Sequence, residues 1–427
     1  MTPASLLHLL VHLLLLALIV VPVSFLLFLA ALPGVGLAGP PRRLFYRAHR
    51  LRLPLLALAG LAWCGLAASW QMGFASGRWP LYGGVALTVV GGAYLVLYPT
   101  RLFHILHRPT YQTAEEARLA DDHPVLGLAT DGPPRAYTLE TLLQPHGAVD
   151  TLGEEALLVT WCTLSHCAVA FRPGPEVSDL ANLHPVTALN DNICFYDDSN
   201  GNLFQQIEEG VVCGPDAGRR SDTRPVTVTT WGRWRRLFPD TLLSHMAPER
   251  PQDHLVRRVM LRVHRRVATL DRPFHPLDRP LDPRLPPMTP VLALCLGGEA
   301  RAWPRDLLHQ RGVLKVEVGG EPLVLMADAE GELTAAYSRR LDGEVLDLAA
   351  IDESGEGSRG EAGSQGHARA VARSGDGSRW DLAGRCVAGP RQGARLESPP
   401  HFQSVFWFAW ALAHPETDLE RPDPGRR

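Results

Sequence analysis

Cys162 and Cys167 flank the tetrapeptide Thr163-Leu164-Ser165-His166, with apolar runs on either side from Ala156 to Trp161 and from Ala168 to Phe171. This spacing predicts a β-hairpin with a four-residue loop in which the two thiols face each other. Directly opposed Cα atoms in an antiparallel pair lie about 4.5–5.5 Å apart, a separation that a disulfide bridges. The pair can therefore cycle between dithiol and disulfide. His166, next to Cys167, can favour a thiolate. The same Cys, His, Cys set could supply three ligands to a soft metal. A purely structural role is the third reading, because free cysteine packs as a small hydrophobe. The spacing alone leaves all three open.

The elements that must hold this loop occur in a unit written twice. Pro124-Val125-Leu126-Gly127-Leu128, followed by Arg135-Ala136-Tyr137, is answered by Pro290-Val291-Leu292-Ala293-Leu294, followed by Arg301-Ala302-Trp303. Gly214-Pro215 with Gly218 is answered by Gly389-Pro390 with Gly393. Trp231-x-x-Trp234 with Pro239-Asp240-Thr241 is answered by Trp407-x-x-Trp410 with Pro415-Glu416-Thr417. The short apolar runs read as buried strands. The Trp-x-x-Trp segments read as helices with a buried aromatic face, ended by proline. The second copy is acidic and free of cysteine where the first carries the pair, reading Asp328-Ala329-Glu330-Gly331-Glu332.

The expected fold is a set of N-terminal transmembrane α-helices followed by a β-rich α+β domain made of two internally duplicated lobes. The expected boundaries are a transmembrane region at 1–99, a connector at 100–122 and lobes at 123–245 and 289–419. Residues 246–288, rich in Pro and Arg, read as a solvated bridge. Residues 353–377, rich in Gly, Ser, Glu and Arg, read as a disordered insertion.

Residues 5–32 are almost wholly apolar, more than the ~20 residues a bilayer crossing needs. Residues 53–69 and 82–98 are two shorter candidates. Trp70, Trp79, Tyr82 and Tyr98 sit at segment ends, where interfacial aromatics gather. Arg42, Arg43, Arg47, Arg50 and Arg52 lie between the first two segments, and only Arg78 lies between the second and third. The positive-inside rule then places the first loop and, after a third crossing, residues 100–427 in the cytoplasm. Loss of one crossing would put the domain on the periplasmic or extracellular side. The expected partner is the lipid bilayer. A net charge of −3 over 427 residues gives no basis for nucleic-acid binding. Seven cysteines, with Cys64 inside an apolar segment, do not make a secreted disulfide framework. The chain contains no Gly-rich phosphate loop, HExxH, GxSxG or paired CxxC, so its motifs specify no cofactor.

Several further residues carry a family pattern: Arg135-Ala136-Tyr137, His146, Val159-Thr160-Trp161-Cys162, Asn190-x-Asn192, Tyr196-Asp197, Gln205-Gln206 before Gly214-Pro215, Thr229-Thr230-Trp231-Gly232-x-Trp234, and His401 to Trp410. In these, residues 111–419 resemble the DUF3179 family, named for a domain without a known function. The resemblance implies a polar cluster around the cysteine loop. It makes His146 a second candidate base beside His166, with Cys162 and Cys167 as the reactive thiols. It makes Arg135, Asn190, Asn192 and Gln206 candidate ligand-binding residues. Asn190 and Asn192 read as alternating on one strand face, and Gln206 follows a turn-rich run from Asp198 to Gly201.

The family typically shows a Tyr-Cys-Pro-Leu-Cys-like run where this chain has Trp161-Cys162-Thr163-Leu164-Ser165. Cys162 matches the first cysteine, Ser165 stands where the second is usual, and Cys167 lies two places on. Some members are described as selenoproteins, which implies redox use of the loop. Phe204 and Gly147 replace a usual Trp and Glu. Many relatives are exported, which opposes the charge-based orientation. Two functions compete. One is a membrane-anchored thiol-dependent enzyme. The other is a non-catalytic, membrane-tethered domain that holds a small-molecule or metal ligand between the lobes.

Overall fold

The computed structural model describes residues 3–31, 42–74, 78–130, 132–152, 155–172, 174, 180–246, 250–328, 333–351 and 369–420. It begins with helices α1 (Pro3–Ala31), α2 (Arg42–Arg50), α3 (Arg52–Gln71), α4 (Trp79–Leu97) and the short α5 (Pro99–Leu102). By length and composition, α1, α3 and α4 can each cross a membrane. Twenty residues at 1.5 Å per residue, the length of α3, match a hydrocarbon core of about 30 Å. The bundle turns Leu14, Leu61 and Val89 outward, each at least 60% exposed.

The polar helix α2 joins this bundle to the domain. Arg42 donates to Gln205 at 3.0 Å and to Glu208 at 2.8 Å. Arg52 pairs with Asp198. His49 Nδ1 meets the Tyr98 hydroxyl at 2.6 Å. Val23, Phe45 and Tyr94 share a core with Val186, Leu189, Cys194 and Tyr196. Tyr98, expected at a lipid interface, is therefore buried at this junction. The arginine-rich segment and the domain lie at the same end of the bundle.

The domain is strand-rich. One sheet runs 227–230, 124–128, 135–138, 242–244, with two antiparallel pairings and then a parallel one. A second runs 402–406, 290–296, 299–304, 418–419 with the same senses in the same order. The first contains the short α6 (Leu139–Leu143) and is followed by α7 (Trp231–Leu237). Next in the chain comes α8 (Pro251–Val267). The second sheet is accompanied by α9 (Arg305–Arg311) and α10 (Trp407–Ala413). In α7 the Trp234 indole donates to Thr241 at 2.8 Å, and in α10 Trp410 donates to Thr417 at 2.9 Å. The sequence spacing thus placed both helices, and the threonines that served as repeat landmarks hold their tryptophans. Antiparallel strands at 148–152, 155–162 and 167–172, and at 313–318, 321–327 and 334–338, form the middle layers. A four-stranded meander accompanies each half, at 183–213 and at 348–388.

The halves do not pack as two separate lobes. Trp231 and Trp234 of the first half share a core with Val324, Met326 and Trp380 of the second. Trp407 and Trp410 of the second half pack with Cys167, Phe195 and Phe204 of the first. Truncating one such tryptophan typically costs about 3–5 kcal/mol, so this cross-packing holds the halves together. Trp234 lies against its own sheet at Gly127 as well, so the two tryptophans of α7 are enclosed between the halves.

Three other expectations change. The bridge at 246–288 is not a solvated linker. It contains α8, whose Asp253 is 1% exposed, and Arg257 donates to the carbonyls of Gln144 and Met246. The connector contributes strands at 106–107 and 112–113. Residues 352–368 of the expected insertion lie outside the described residues, whereas Ala370–Ser374 form a meander strand.

Candidate functional site

Strands Glu155–Cys162 and Cys167–Arg172 pair in register, with Cys162 opposite Cys167 at the closing position. Their β-branched and aromatic residues suit a pleated, buried surface, and His166 closes the loop with φ +54°. Both thiols are free. They face the core, Cys162 at 5% and Cys167 at 0% exposure.

The surroundings of the two sulfurs differ in kind. Burial pushes the Cys162 thiol up, an effect that hydrogen bonding from Ser165 and from the main chain of Leu164 and Ile193 only partly offsets. When protonated, Cys162 donates to the Asp191 carbonyl at 3.5 Å. Cys167 instead donates to Gln403 Oε1 at 3.1 Å, and burial drives its thiol well up. The orientation of Gln403 is fixed, because its amide nitrogen donates to Glu209 Oε1 at 2.7 Å and an ionised carboxylate only accepts.

A buried polar network surrounds the pair. Asn192 Nδ2 donates to Ser165 at 2.9 Å and to Gln206 Oε1 at 3.0 Å. Asn192 Oδ1 accepts from the Ile207 N–H at 2.9 Å. Gln206 Nε2 donates to Thr160 at 2.9 Å and to the Cys167 carbonyl at 3.1 Å. Glu209 Oε2 accepts from Arg220 at 2.7 Å and faces His401 Nδ1 at 2.6 Å. Beside Cys162, Asp191 is paired with the buried His275. Among the described residues, seven non-glycine residues have positive φ, and His166, Asn190, Asp191, Glu209 and His401 belong to this one region. Such strain persists only where the surroundings over-determine it, and it concentrates at functional sites.

Cys162, Cys167, Asn192 and Gln206 thus come together. The side chains of the other candidates are engaged elsewhere. Asn190 and Asp191, at φ +50° and +57°, form the two-residue turn between strands 183–189 and 192–197. Asn190 therefore points away from the face Asn192 occupies, and it accepts from the Asp278 N–H at 3.2 Å. Arg135 pairs with Asp150 at 3.5 Å and lies over Tyr111. His146 stacks on Phe103. The His166 ring packs against Trp161 and Phe406, so it is not placed as a thiol base or as a third metal ligand beside the cysteines.

Burial, helped by the positive charges of His264 and Arg305, holds the His166 pKa near 4, below the ordinary 6.5. The folded chain therefore takes up this proton at lower pH than the unfolded chain. The stability that depends on the neutral ring is complete above about pH 6.5 and is lost as the pH falls through about 4. His166→Asn keeps a side chain tolerant of positive φ. It should lose less stability than the parent between these two pH values in denaturation curves. Equal acid slopes would refute this account.

Sequence reasoning missed Asp191, Glu209 and His275 as parts of the site, and treated Thr160, Ser165, His401 and Gln403 only as pattern positions. Glu209 lies in Glu208-Glu209-Gly210, which resembles any solvated turn, and His275 lies in the supposed linker. A strand-rich domain with a thiol hairpin at the seam of two interlocked halves, preceded by three membrane-length helices, defines the class of protein. Over residues 104–417 the chain matches the family described as protein of unknown function (DUF3179), and it belongs to that family. Neither a curated protein nor a solved structure matches it.

Proposed function

We propose that this DUF3179 protein is membrane-anchored and acts by thiol–disulfide exchange at Cys162 and Cys167. The observation that carries the reading is the hairpin register that sets Cys162 opposite Cys167 at its closing pair with both thiols free, a placement a disulfide can bridge. Cys162 is then the nucleophile and Cys167, held as a thiol by Gln403, the resolving residue. Cys162 loses its proton to solvent, and its thiolate attacks one sulfur of a substrate disulfide. That S–S bond breaks, and the leaving thiolate takes up a proton. Cys167 then attacks Cys162 Sγ in the mixed disulfide and passes its own proton to the second departing thiolate. The pair loses two electrons and two protons, and the substrate disulfide gains both.

The two halves are read as copies of one unit, of which only the first keeps the chemistry. Supporting this, Asp328 and Leu333 bracket the corresponding hairpin, with the Asp328 N–H on the Leu333 carbonyl at 2.9 Å. Gly384 stands where the first copy has Glu209. Each accepts at 2.8 Å from the matching N–H, Leu396 and Ser221 respectively. In this reading α1, α3 and α4 span the membrane, and the arginines of α2 place the domain in the cytoplasm. There the pair would be a transient couple rather than a permanent disulfide.

The burial of both thiols favours a second reading, a non-catalytic binding or sensor domain in which the network only secures the seam. Alkylation of the detergent-solubilised chain, read by mass spectrometry, separates the two. Cys162, 5% exposed, should react faster than fully buried Cys194. A disulfide oxidant should join Cys162 to Cys167, and dithiothreitol should reverse it. A native Cys162 that resists labelling, with Cys162→Ala destabilising by about 1–3 kcal/mol, would leave only the binding reading.

A further inference from the structure

We propose that the outer face of α8 lies on the anionic headgroup layer of the bilayer, an inference that rests on reading α1, α3 and α4 as spans. The helix begins where the third of these ends. The Arg250 guanidinium, at its N-terminus, donates to the carbonyls of Arg101 at 3.4 Å and Leu102 at 3.2 Å. These are residues of α5, directly after α4.

The inner face of α8 is committed to the domain. Asp253 accepts from Gln144 at 2.8 Å, His264 Nδ1 meets the Thr163 hydroxyl at 2.6 Å, and Val267 is buried. The opposite face carries Leu255, 62% exposed, and Val259, 44% exposed, one turn apart. Exposed Arg258, Arg262, Arg265 and Arg266 flank this apolar strip. Among the described residues, none of these four guanidinium groups forms an ion pair with a carboxylate.

An apolar strip bordered by arginines is the composition of a helix that lies in the membrane interface. The arginine stems can follow the apolar boundary while the charged ends remain at headgroup level, where a guanidinium can grip a phosphate through two parallel hydrogen bonds. Each such residue adds about 1 kcal/mol of attraction to an anionic surface. Continuity with the end of α4 favours the membrane surface over a separate protein partner. Docked in this way, α8 would also restrain the orientation of the cysteine hairpin, since His264 touches its loop at Thr163.

The test places a dansyl amino acid at position 255 of the full chain, reconstituted in nanodiscs of phosphatidylcholine with or without phosphatidylglycerol. A doxyl lipid labelled near the headgroup serves as quencher. A second preparation carries the probe at position 14, within α1, with a mid-chain doxyl quencher. The expected result is quenching at both positions in anionic discs. At position 255 the quenching should fall several-fold in phosphatidylcholine alone and in R258E/R262E/R266E. Single R262E, fully on the exposed face, should give a smaller loss and serves if the triple variant misfolds. Quenching at 14 without quenching at 255 would overturn the α8 proposal and leave the spans standing. Absence of quenching at both positions would overturn the two together. Quenching at 255 that ignores both lipid charge and charge reversal would overturn the anionic-headgroup basis.

Discussion

Glu209→Ala should destabilise the chain by about 2–3 kcal/mol, the usual effect of leaving buried polar groups without their partner. Glu209 is 1% exposed, and its carboxylate has four partners. Gln403 and Thr223 donate to Oε1 at 2.7 and 3.4 Å, Arg220 donates to Oε2 at 2.7 Å, and His401 Nδ1 lies 2.6 Å from Oε2. Alanine would leave Gln403, Thr223 and His401 facing a void, while Arg220, 38% exposed, would turn to solvent. It would also release the Gln403 amide, whose oxygen holds the Cys167 thiol. Glu209 sits at φ +51°, a conformation that costs a non-glycine residue about 1–2 kcal/mol. Glu209→Gly relieves that strain while losing the same carboxylate. The expected order of stability in urea denaturation is parent, then Glu209→Gly, then Glu209→Ala. An alanine variant within 1 kcal/mol of the parent would contradict the network's role.

Gly214→Ala should cost about 3 kcal/mol or more, because two penalties combine at one atom. Gly214 has φ +129°, outside what an L side chain adopts readily. A Cβ there would stand 2.5 Å from Asn202 Oδ1 and 2.8 Å from Asn202 Cα, with the Gly201 carbonyl at 2.9 Å. Two of these three contacts are main chain and cannot rotate away. Asn202 is fixed as well, since its amide donates to Asp216 Oδ2 at 2.7 Å and its oxygen accepts the Asp216 N–H at 3.1 Å. Gly218 supplies the control. Its φ is +94°, but nothing lies within 4 Å of its Cβ position, so Gly218→Ala carries strain alone, about 1–2 kcal/mol. Thermal unfolding followed by tryptophan fluorescence compares them. Equal losses from the two variants would refute the close-contact argument. Gly389 meets the same constraint, with φ +100° and a Cβ position 2.7 Å from Ser378 Cα, which explains why the Gly-Pro landmark occurs in both halves.

The residues themselves determined whatever has a local cause. Apolar length identified α1, α3 and α4. The alternation and spacing of residues 156–171 identified the hairpin and set Cys162 opposite Cys167. The Trp-x-x-Trp spacing identified α7 and α10. Where local pattern misled, tertiary contacts explain the outcome. A Pro- and Arg-rich stretch became α8 because Asp253, Arg257 and Val267 found partners on the domain. Asn190 left the expected strand because Asn190-Asp191 makes a two-residue turn. Only the tertiary structure decided the composition of the site. Gln403 reaches Cys167 across 236 positions, and His401 reaches Glu209 across 192. Contacts of that separation leave no periodicity in the chain, because they join residues of different halves that no local spacing relates.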